Sequence, residues 1–323
     1  MMRALLGDPG RTFGRNVMAT IPVPDARVDR LAGIFRPKKT TFARVDMSFD
    51  DAACQTMKET LAEVQTAEVL VLAARAFDLD PSGRDDPATV FEQYRSELVL
   101  TDLMLVEKRL ESIARWHEIT PEKPWFERLK GELEEGKLLS QVEYTDQERA
   151  MFLPYNCLTL KPLIVVFNVA EGAVASANRE ACLSVARWRG ATPVTLCAKV
   201  EEEIAALEPA ERGPFLEALG IPMPAAHNLV QAVFAGMNLI SFLTVGEDEV
   251  RAWPVRRGAC APEAGGRVHS DIQRGLIRAE VVSYDDFVAA GSLRTARANG
   301  TLRLEGKSYV VQDGDIINFL FKV

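Results

Sequence analysis

Hydrophobic and polar positions along the chain change period several times, and each change marks a predicted element. Runs of apolar residues predict strands over 17–23, 42–49, 69–73, 163–167 and 193–197. The runs at 69–73 and 163–167 are unbroken, which is typical of strands that are buried on both faces. Amphipathic helices are predicted between strands, one capped by Asp25 and ending before Pro37, and one over roughly 51–65. This alternation predicts an α/β fold with a parallel sheet covered by helices.

A longer helical section follows Asp86 and interrupts the alternation. Its apolar residues recur at steps of four and three, a seam typical of coiled coils: Val99, Leu103, Val106, Leu110 and Ile113. Pro121 and Pro124 end this helix, and a second amphipathic helix then carries Phe126, Leu129 and Leu133. The pattern predicts an antiparallel helical hairpin that is inserted between two strands of the sheet.

Composition narrows the class of protein. The 323 residues suffice for two or three domains, and 47% hydrophobic with 26% charged residues is ordinary for a soluble protein. No apolar stretch approaches the roughly 20 residues of a membrane helix. The five cysteines are scattered without a CxxC pair, which favours the reducing cytoplasm and, with three histidines, gives no metal-site pattern. The net charge of −8 argues against nucleic-acid binding by the whole surface.

The best candidate site follows two successive predicted strands. Residues 168–171 read N-V-A-E directly after one strand, and residues 197–199 read C-A-K after the next. Ligands of open α/β sheets bind beyond the carboxyl ends of strands. An asparagine and an acid three residues apart can read a purine edge there, and backbone N–H groups of the second loop complete the pocket. The predicted base-binding residues are Asn168, Val169, Glu171, Cys197 and Ala198; that both loops are simply turns stays open.

No catalytic group or phosphate cradle is predicted from spacing. Residues 131–137 fit G-x-x-x-x-G-K, but Leu138 replaces the Ser/Thr that holds magnesium, and a helix precedes the motif where a strand is required. Glu134 and Glu135 would also repel phosphate. We therefore predict that 131–137 is the end of the returning helix. Residues 7–14 are glycine-rich but lack the lysine, and they are predicted to be a loop.

The last eighty residues carry the most specific motifs. Residues 250–253 read V-R-A-W, 275–280 read G-L-I-R-A-E, and 313–315 read D-G-D, a turn between β-rich runs. His269 is interpreted as a hydrogen-bonded structural residue, with a partner contact as the alternative. An aromatic and basic face for RNA is a further hypothesis, balanced by the solvated-surface interpretation: Trp253, Arg256, Arg257, Arg274 and Arg278.

These motifs resemble those of the Obg-like ATPases, the YchF branch of the Obg-type GTPases. The resemblance also covers P-D-A-R-V-D-R-L at 24–31 and L-T-L-K-P at 158–162, and so nearly the whole chain. It implies an incomplete P-loop-NTPase-like parallel sheet, the inserted hairpin, and a C-terminal β-grasp (ubiquitin-like) TGS domain. The implied domains are a nucleotide-binding domain over 1–80 and 151–238, the helical insertion over 81–150 and the TGS domain over 239–323.

The resemblance also implies a function. The family binds ATP or GTP with magnesium, and Glu171 stands where ordinary GTPases have aspartate, which in the family goes with a preference for ATP. Cys197 and Ala198 fall on the loop that closes over the base. The TGS domain implies ribosome or RNA as a partner, and a regulatory role in the cytoplasm.

Two departures from the family pattern modify this expectation. The D-x-x-G switch is replaced by F-D-D-A at 49–52, and residues 1–7 resemble the tail of the helix that follows the family's phosphate loop. We therefore expect a native protein that begins further upstream, because the absent first strand would leave its neighbours with unpaired buried groups at about 1–3 kcal/mol each. For the 323 residues we expect weak or absent nucleotide binding and negligible hydrolysis. The alternative is a non-catalytic adaptor that binds ribosomes or RNA through the TGS domain.

Overall fold

The computed structural model describes residues 17–49, 64–78, 86–116, 120–171, 186, 189–219 and 223–322. Two compact units result: 1–18 with 48–232, and 19–47 with 233–323. This division groups 19–47 with the C-terminal part of the chain, whereas the predicted domains, which stay a prediction, place it in the nucleotide-binding domain. The predicted loop at 7–14, most of the predicted helix at 51–65 and positions 50–52 lie outside the described residues.

A parallel sheet forms the centre of the first unit. Its strands β4 (Leu70–Ala76), β5 (Leu163–Val169) and β6 (Thr192–Leu196) lie in that order, which confirms the predicted α/β class and parallel pairing. Residues 163–167 of β5 are buried, as predicted. β4 differs, since Ala73 is exposed and Val71 and Leu72 are only partly buried. The reason is its position at an edge of the described sheet, where fewer side chains cover it.

The predicted hairpin is present between β4 and β5. Helix α2 (Pro87–Trp116) packs against α3 (Lys123–Glu134), with Val106 and Leu129 among the buried residues of the contact. Ion pairs Lys130–Glu107 and Arg109–Glu122, each 2.9 Å, show that the helices run antiparallel. Helix α3 ends at Glu134 and Gly136 has φ 73°, so the G-x-x-x-x-G-K segment is a helix end, as predicted.

A buried carboxylate joins α2 to the segment that leads into β5. After α4 (Asp146–Phe152), residues Leu158–Leu160 of the L-T-L-K-P motif form a 3₁₀ turn. Asp102, only 1% exposed, accepts hydrogen bonds from Leu158 N at 2.9 Å, Thr159 N at 2.7 Å and Thr159 Oγ1 at 2.6 Å. Burial raises the pKa of Asp102, and these hydrogen bonds offset part of that rise. The motif therefore has a structural use that fixes the start of β5.

Three further helices complete the first unit as described: α5 (Ala198–Ala206), α6 (Pro209–Ala218) and α7 (Ala225–Gly236), the last of which crosses into the second unit. Glu201 of α5 is 4% exposed and accepts from Ala225 N at 2.8 Å and Ala226 N at 3.1 Å. The carboxylate thus satisfies the first N–H groups of α7. It holds α5 in place, and the first turn of α5 includes Ala198 and Lys199 of the predicted second loop.

The second unit contains a mixed six-stranded sheet. Its order is β10-β9-β11-β7-β8-β2, with β11 parallel to β7, β2 parallel to β8, and the other neighbours antiparallel. The strands are β2 (Lys39–Thr41), β7 (Leu239–Thr244), β8 (Glu249–Arg256), β9 (Leu276–Ser283), β10 (Arg303–Glu305) and β11 (Asp315–Phe321). β2 was not predicted, because three residues give no readable periodicity. Its pairing with β8, together with the contacts of Arg27 with Asp313 and of Phe35 with Phe287, groups 19–47 with this unit.

Short helices surround this sheet: α1 (Ala26–Phe35), α8 (Ala261–Val268), α9 (Ser270–Gly275), α10 (Tyr284–Ala290) and α11 (Leu293–Ala298). Strands β1 (Val17–Pro22) and β3 (Arg44–Phe49) form a separate pair. The largest buried side chains of the core include Phe242 and Phe287, both 0% exposed. None of the helices in the described ranges has the length and hydropathy that crossing a bilayer requires.

The D-G-D turn is linked to the P-D-A-R segment inside this unit. Asp313 accepts from Ser241 N at 2.9 Å and pairs with Arg27 at 2.8 Å, while Arg27 also pairs with Asp25, which caps α1. Burial lowers the pKa of Arg27, but hydrogen bonds to Asp25 and Asp313 raise it by more. Gly314 has φ 84°, the left-handed conformation that the turn needs and glycine adopts without cost. Both motifs therefore stabilise one network.

Candidate functional site

The two predicted loops meet at the carboxyl edge of the parallel sheet. Asn168 lies beside Leu196 in the β5–β6 ladder, so the chain leaves both strands at the same level. The Oδ1 atom of Asn168 accepts a hydrogen bond from the backbone N–H of Ala198 at 2.9 Å. The asparagine side chain therefore fixes the second loop against the first.

An ion pair between Glu171 and Lys199 joins the solvent-exposed parts of the same two loops. Glu171 Oε2 accepts from Lys199 Nζ at 2.8 Å, with the two side chains 56% and 68% exposed. Glu203, one helical turn along α5, lies 3.9 Å from the same ammonium group. The hydrogen bond that Lys199 donates to Glu171, and then the negative charge of Glu171, raise the pKa of Lys199. A carboxylate acceptor and an ammonium donor thus stand side by side at the solvent edge of the sheet.

The apolar members of the predicted set lie behind these polar groups. Val169 and Cys197 are each 6% exposed and pack with Val200 and Ile204. Their side chains support the loops from the core. Because these side chains are buried, Val169 and Cys197 can contact a ligand only through their backbone atoms.

The structure therefore brings Asn168, Glu171 and Ala198 to one edge, with Val169 and Cys197 beneath them. Sequence reasoning did not predict the ion pair of Glu171 with Lys199. The available signal was the opposite charges of two loops that follow neighbouring strands. The sequence also contained no signal that Asp102 accepts long-range hydrogen bonds, because the pattern around an acidic residue in a helix does not indicate its distant partner.

No group of three or more His, Cys, Asp or Glu side chains within the described ranges is arranged to hold a metal ion. Magnesium at nucleotide sites is bound mainly by substrate phosphates and water with one or two protein ligands, so a nucleotide-bound magnesium needs no such cluster. The polar edge formed by Asn168, Glu171 and Lys199 does fit a purine base, because it offers acceptors and a donor beyond the ends of parallel strands.

The C-terminal candidates are dispersed. Trp253 donates from Nε1 to Thr244 Oγ1 at 3.0 Å, and the guanidinium of Arg251 lies 3.7 Å from its ring centroid. β8, which carries Trp253, and β9, which carries Arg278, are separated by β7 and β11. That separation amounts to about 14 Å at the usual strand spacing. The five candidates are therefore spread over several elements: Trp253 and Arg256 on β8, Arg257 directly after it, Arg274 on α9 and Arg278 on β9.

His269 has a local role. Its Nδ1 accepts from Asp271 N at 3.2 Å at the start of α9, and its side chain is 64% exposed. The hydrogen-bonded structural interpretation therefore agrees with its position.

Comparison with known proteins places the chain in a family. A ribosome-binding ATPase YchF of Bacillus subtilis (strain 168) is 36% identical over 98% of this chain and 91% of that protein. The protein of the same name from Escherichia coli O157:H7 is 32% identical over 94% and 88%. The chain belongs to the YchF family. The resemblance to the YchF branch of the Obg-like ATPases is thereby confirmed.

Two further comparisons agree with this assignment. Residues 239–322 match the family YchF-GTPase_C, described as a protein of unknown function (DUF933). The structure of the Schizosaccharomyces pombe YchF GTPase superposes with a TM-score of 0.85 at 23% identity, over 99% of this chain and 93% of that one. The α/β fold of the YchF family is therefore shared.

Proposed function

We propose that this YchF-family chain binds a purine nucleotide, ATP or GTP, by its base, and associates with the ribosome. The base contacts are assigned to Asn168, Val169, Glu171, Cys197 and Ala198. One observation carries the proposal: the hydrogen bond from Ala198 N to Asn168 Oδ1, which joins the two loops at the carboxyl edge of the sheet. Support for the ribosome comes from relatives named ribosome-binding ATPase YchF. Ribosome association also favours a cytoplasmic location.

Each residue has a distinct part in this proposal. Asn168 orients the second loop, Glu171 accepts hydrogen bonds from the base edge, and the backbone of Val169, Cys197 and Ala198 forms the walls. A bound nucleotide supplies the phosphoanhydride that family members hydrolyse. The proposal includes a P-loop-NTPase-like nucleotide-binding domain over 1–80 and 151–238, a helical insertion over 81–150 and a β-grasp TGS domain over 239–323.

Hydrolysis is proposed to be strongly reduced. Residues 49–52 read F-D-D-A where the family pattern has D-x-x-G, so the aspartate and the glycine of the motif that senses the terminal phosphate are replaced by Phe49 and Ala52. If the base is contacted but the terminal phosphate is not, we expect weak binding, because the phosphates then add little to the affinity for the nucleotide. Isothermal titration with ATP and magnesium tests this point, and micromolar affinity would contradict weak binding.

Asn168→Ala tests the base site. We expect its affinity for ATP or GTP to fall roughly two- to tenfold, since about 0.5–1.5 kcal/mol is typical for a lost hydrogen bond between neutral groups. Ligand-observed NMR titration at millimolar nucleotide measures this change. Glu203→Ala, on the exposed side of α5, is the control and should bind as the wild type does. Equal affinity of Asn168→Ala and wild type would exclude the assigned site.

A non-catalytic adaptor is the second candidate function, and the internal change at 49–52 favours it. Such a protein binds ribosomes or RNA through residues 239–323 irrespective of nucleotide. Co-sedimentation with ribosomes, with and without ATP, separates the two proposals. If nucleotide regulates association, ATP changes the sedimented fraction and Asn168→Ala abolishes the change. For an adaptor, neither ATP nor the variant alters it.

A further inference from the structure

The polar groups of this site differ in whether they are accessible for a hydrogen bond to a base. The N–H of Ala198 is already engaged by Asn168 Oδ1 at 2.9 Å. The donor that stands next to the Glu171 carboxylate is instead the Lys199 ammonium group at 2.8 Å. Both side chains are more than half exposed, so a planar base has access to them.

We infer that Lys199 is a specificity-determining residue, which together with Glu171 forms a donor–acceptor pair that admits adenine as well as guanine. The inference rests on the proposed base-binding function and names the group that sets the balance between ATP and GTP. In this inference, the glutamate of the N-x-x-E motif does not determine the preference between ATP and GTP by itself.

Hydrogen-bond chemistry gives the reason. A carboxylate offers only acceptors, whereas an ammonium group offers only donors. Guanine presents two adjacent donors, N1–H and N2–H₂, which a lone carboxylate accepts together. Adenine presents one donor, N6–H₂, beside an N1 lone pair that a lone carboxylate repels. With Lys199 beside Glu171, the carboxylate accepts from N6 while the ammonium donates to N1.

The same pair also suits guanine in a second register. Lys199 then donates to O6 and Glu171 accepts from N1–H. The pair therefore tolerates either purine, and removal of its donor leaves a carboxylate that favours guanine.

Lys199→Met is the decisive variant, measured in the full chain by ligand-observed NMR titration with ATP and with GTP. We expect the ratio of Kd for GTP to Kd for ATP to fall at least about tenfold, the effect of losing one hydrogen bond to a charged group. Lys199→Arg keeps a charged donor and should keep the wild-type ratio. Glu203→Gln, which alters only the neighbouring acid, should keep it too.

A rescue strengthens the test. Glutamine carries a donor and an acceptor in one amide, so adding Glu171→Gln to Lys199→Met should restore ATP binding relative to GTP. A merely structural role of the ion pair would not produce this recovery. Circular dichroism checks that each variant is folded.

The possible outcomes distinguish failure of the proposed base site from failure of the inference about Lys199. If the wild type binds a purine nucleotide and Lys199→Met leaves the ratio unchanged, or weakens both nucleotides equally, the inference about Lys199 is wrong and the base site stands. A wild type that binds GTP alone also contradicts it. If the wild type binds neither nucleotide, both the base site and the inference are overturned.

Discussion

Replacing Asp102 by alanine should lower the free energy of unfolding of the first unit by about 3–5 kcal/mol, because two buried backbone N–H groups lose their acceptor at about 1–3 kcal/mol each and a buried hydroxyl loses its own. The N–H groups belong to Leu158 and Thr159, and the acceptor is 1% exposed. Such a loss is a large part of a typical total of about 5–15 kcal/mol. Urea denaturation gives the total, and hydrogen exchange at 158 and 159 locates the change.

Two variants bracket this expectation. Thr159→Val removes only the hydroxyl bond and should cost about 1 kcal/mol. Glu111→Ala replaces an exposed acid on the same helix and should stay within about 0.5 kcal/mol of the wild type. If Asp102→Ala resembled Glu111→Ala, the carboxylate would not be the anchor of the L-T-L-K-P segment.

The acid range gives an independent check on Asp102. Since burial raises its pKa above the unfolded-state value, protonation of the folded state adds stability that is fully present below the unfolded-state pKa. That contribution is lost as the pH rises through the raised folded-state pKa. Asp102→Asn cannot titrate, so its free energy of unfolding should lack this component. Parallel pH dependences of the two proteins would contradict the assignment.

Replacing Gly275 by alanine should destabilise the second unit by about 3 kcal/mol or more. A Cβ at this position would overlap the carbonyl oxygen of Lys322 and lie 2.9 Å from its carbonyl carbon. Backbone atoms cannot swing aside as a side chain does, so β11 must shift away from β9. Overpacking costs about 1–3 kcal/mol, and each lost ladder bond about 1 kcal/mol more. Lys322 N, which donates to Gly275 O at 3.0 Å, is the first bond affected.

Gly306→Ala is the matched control for this prediction. A Cβ on Gly306 meets nothing within 4 Å, and the residue lies in the same unit. Thermal unfolding followed by differential scanning calorimetry compares the two variants. If both melted together with the wild type, the close approach of β11 to residue 275 would be wrong.

Local patterns sufficed to predict the elements with long or unbroken periodicity. β5 contains five buried apolar residues in succession, and the seam from Val99 to Ile113 spans about four turns of α2. The position of Asn168 and Ala198 followed from a general property of parallel sheets, since their strands end at one edge. These features depend on neighbours in sequence or on rules of topology.

Pairings between distant residues had no such local mark. Asp102 reaches Thr159, Arg27 reaches Asp313, and Lys199 reaches Glu171 only after the elements have packed. The parallel pairing of β2 with β8 falls in the same class. The local sequence pattern around a charged residue on a helix or in a loop is the same whether the side chain contacts solvent or a buried partner.

The ladder between β2 and β8 has a consequence for synthesis on the ribosome. Lys38 and Asp248, which pair at its end, are 210 residues apart. At about 5–20 residues per second, the early segment waits roughly 10–40 s for its partner strand to emerge. During that interval residues 19–47 lack the sheet that they complete. Slow codons or a chaperone acting on the nascent chain would therefore affect this segment for longer than β4, whose partner strand β5 follows much sooner.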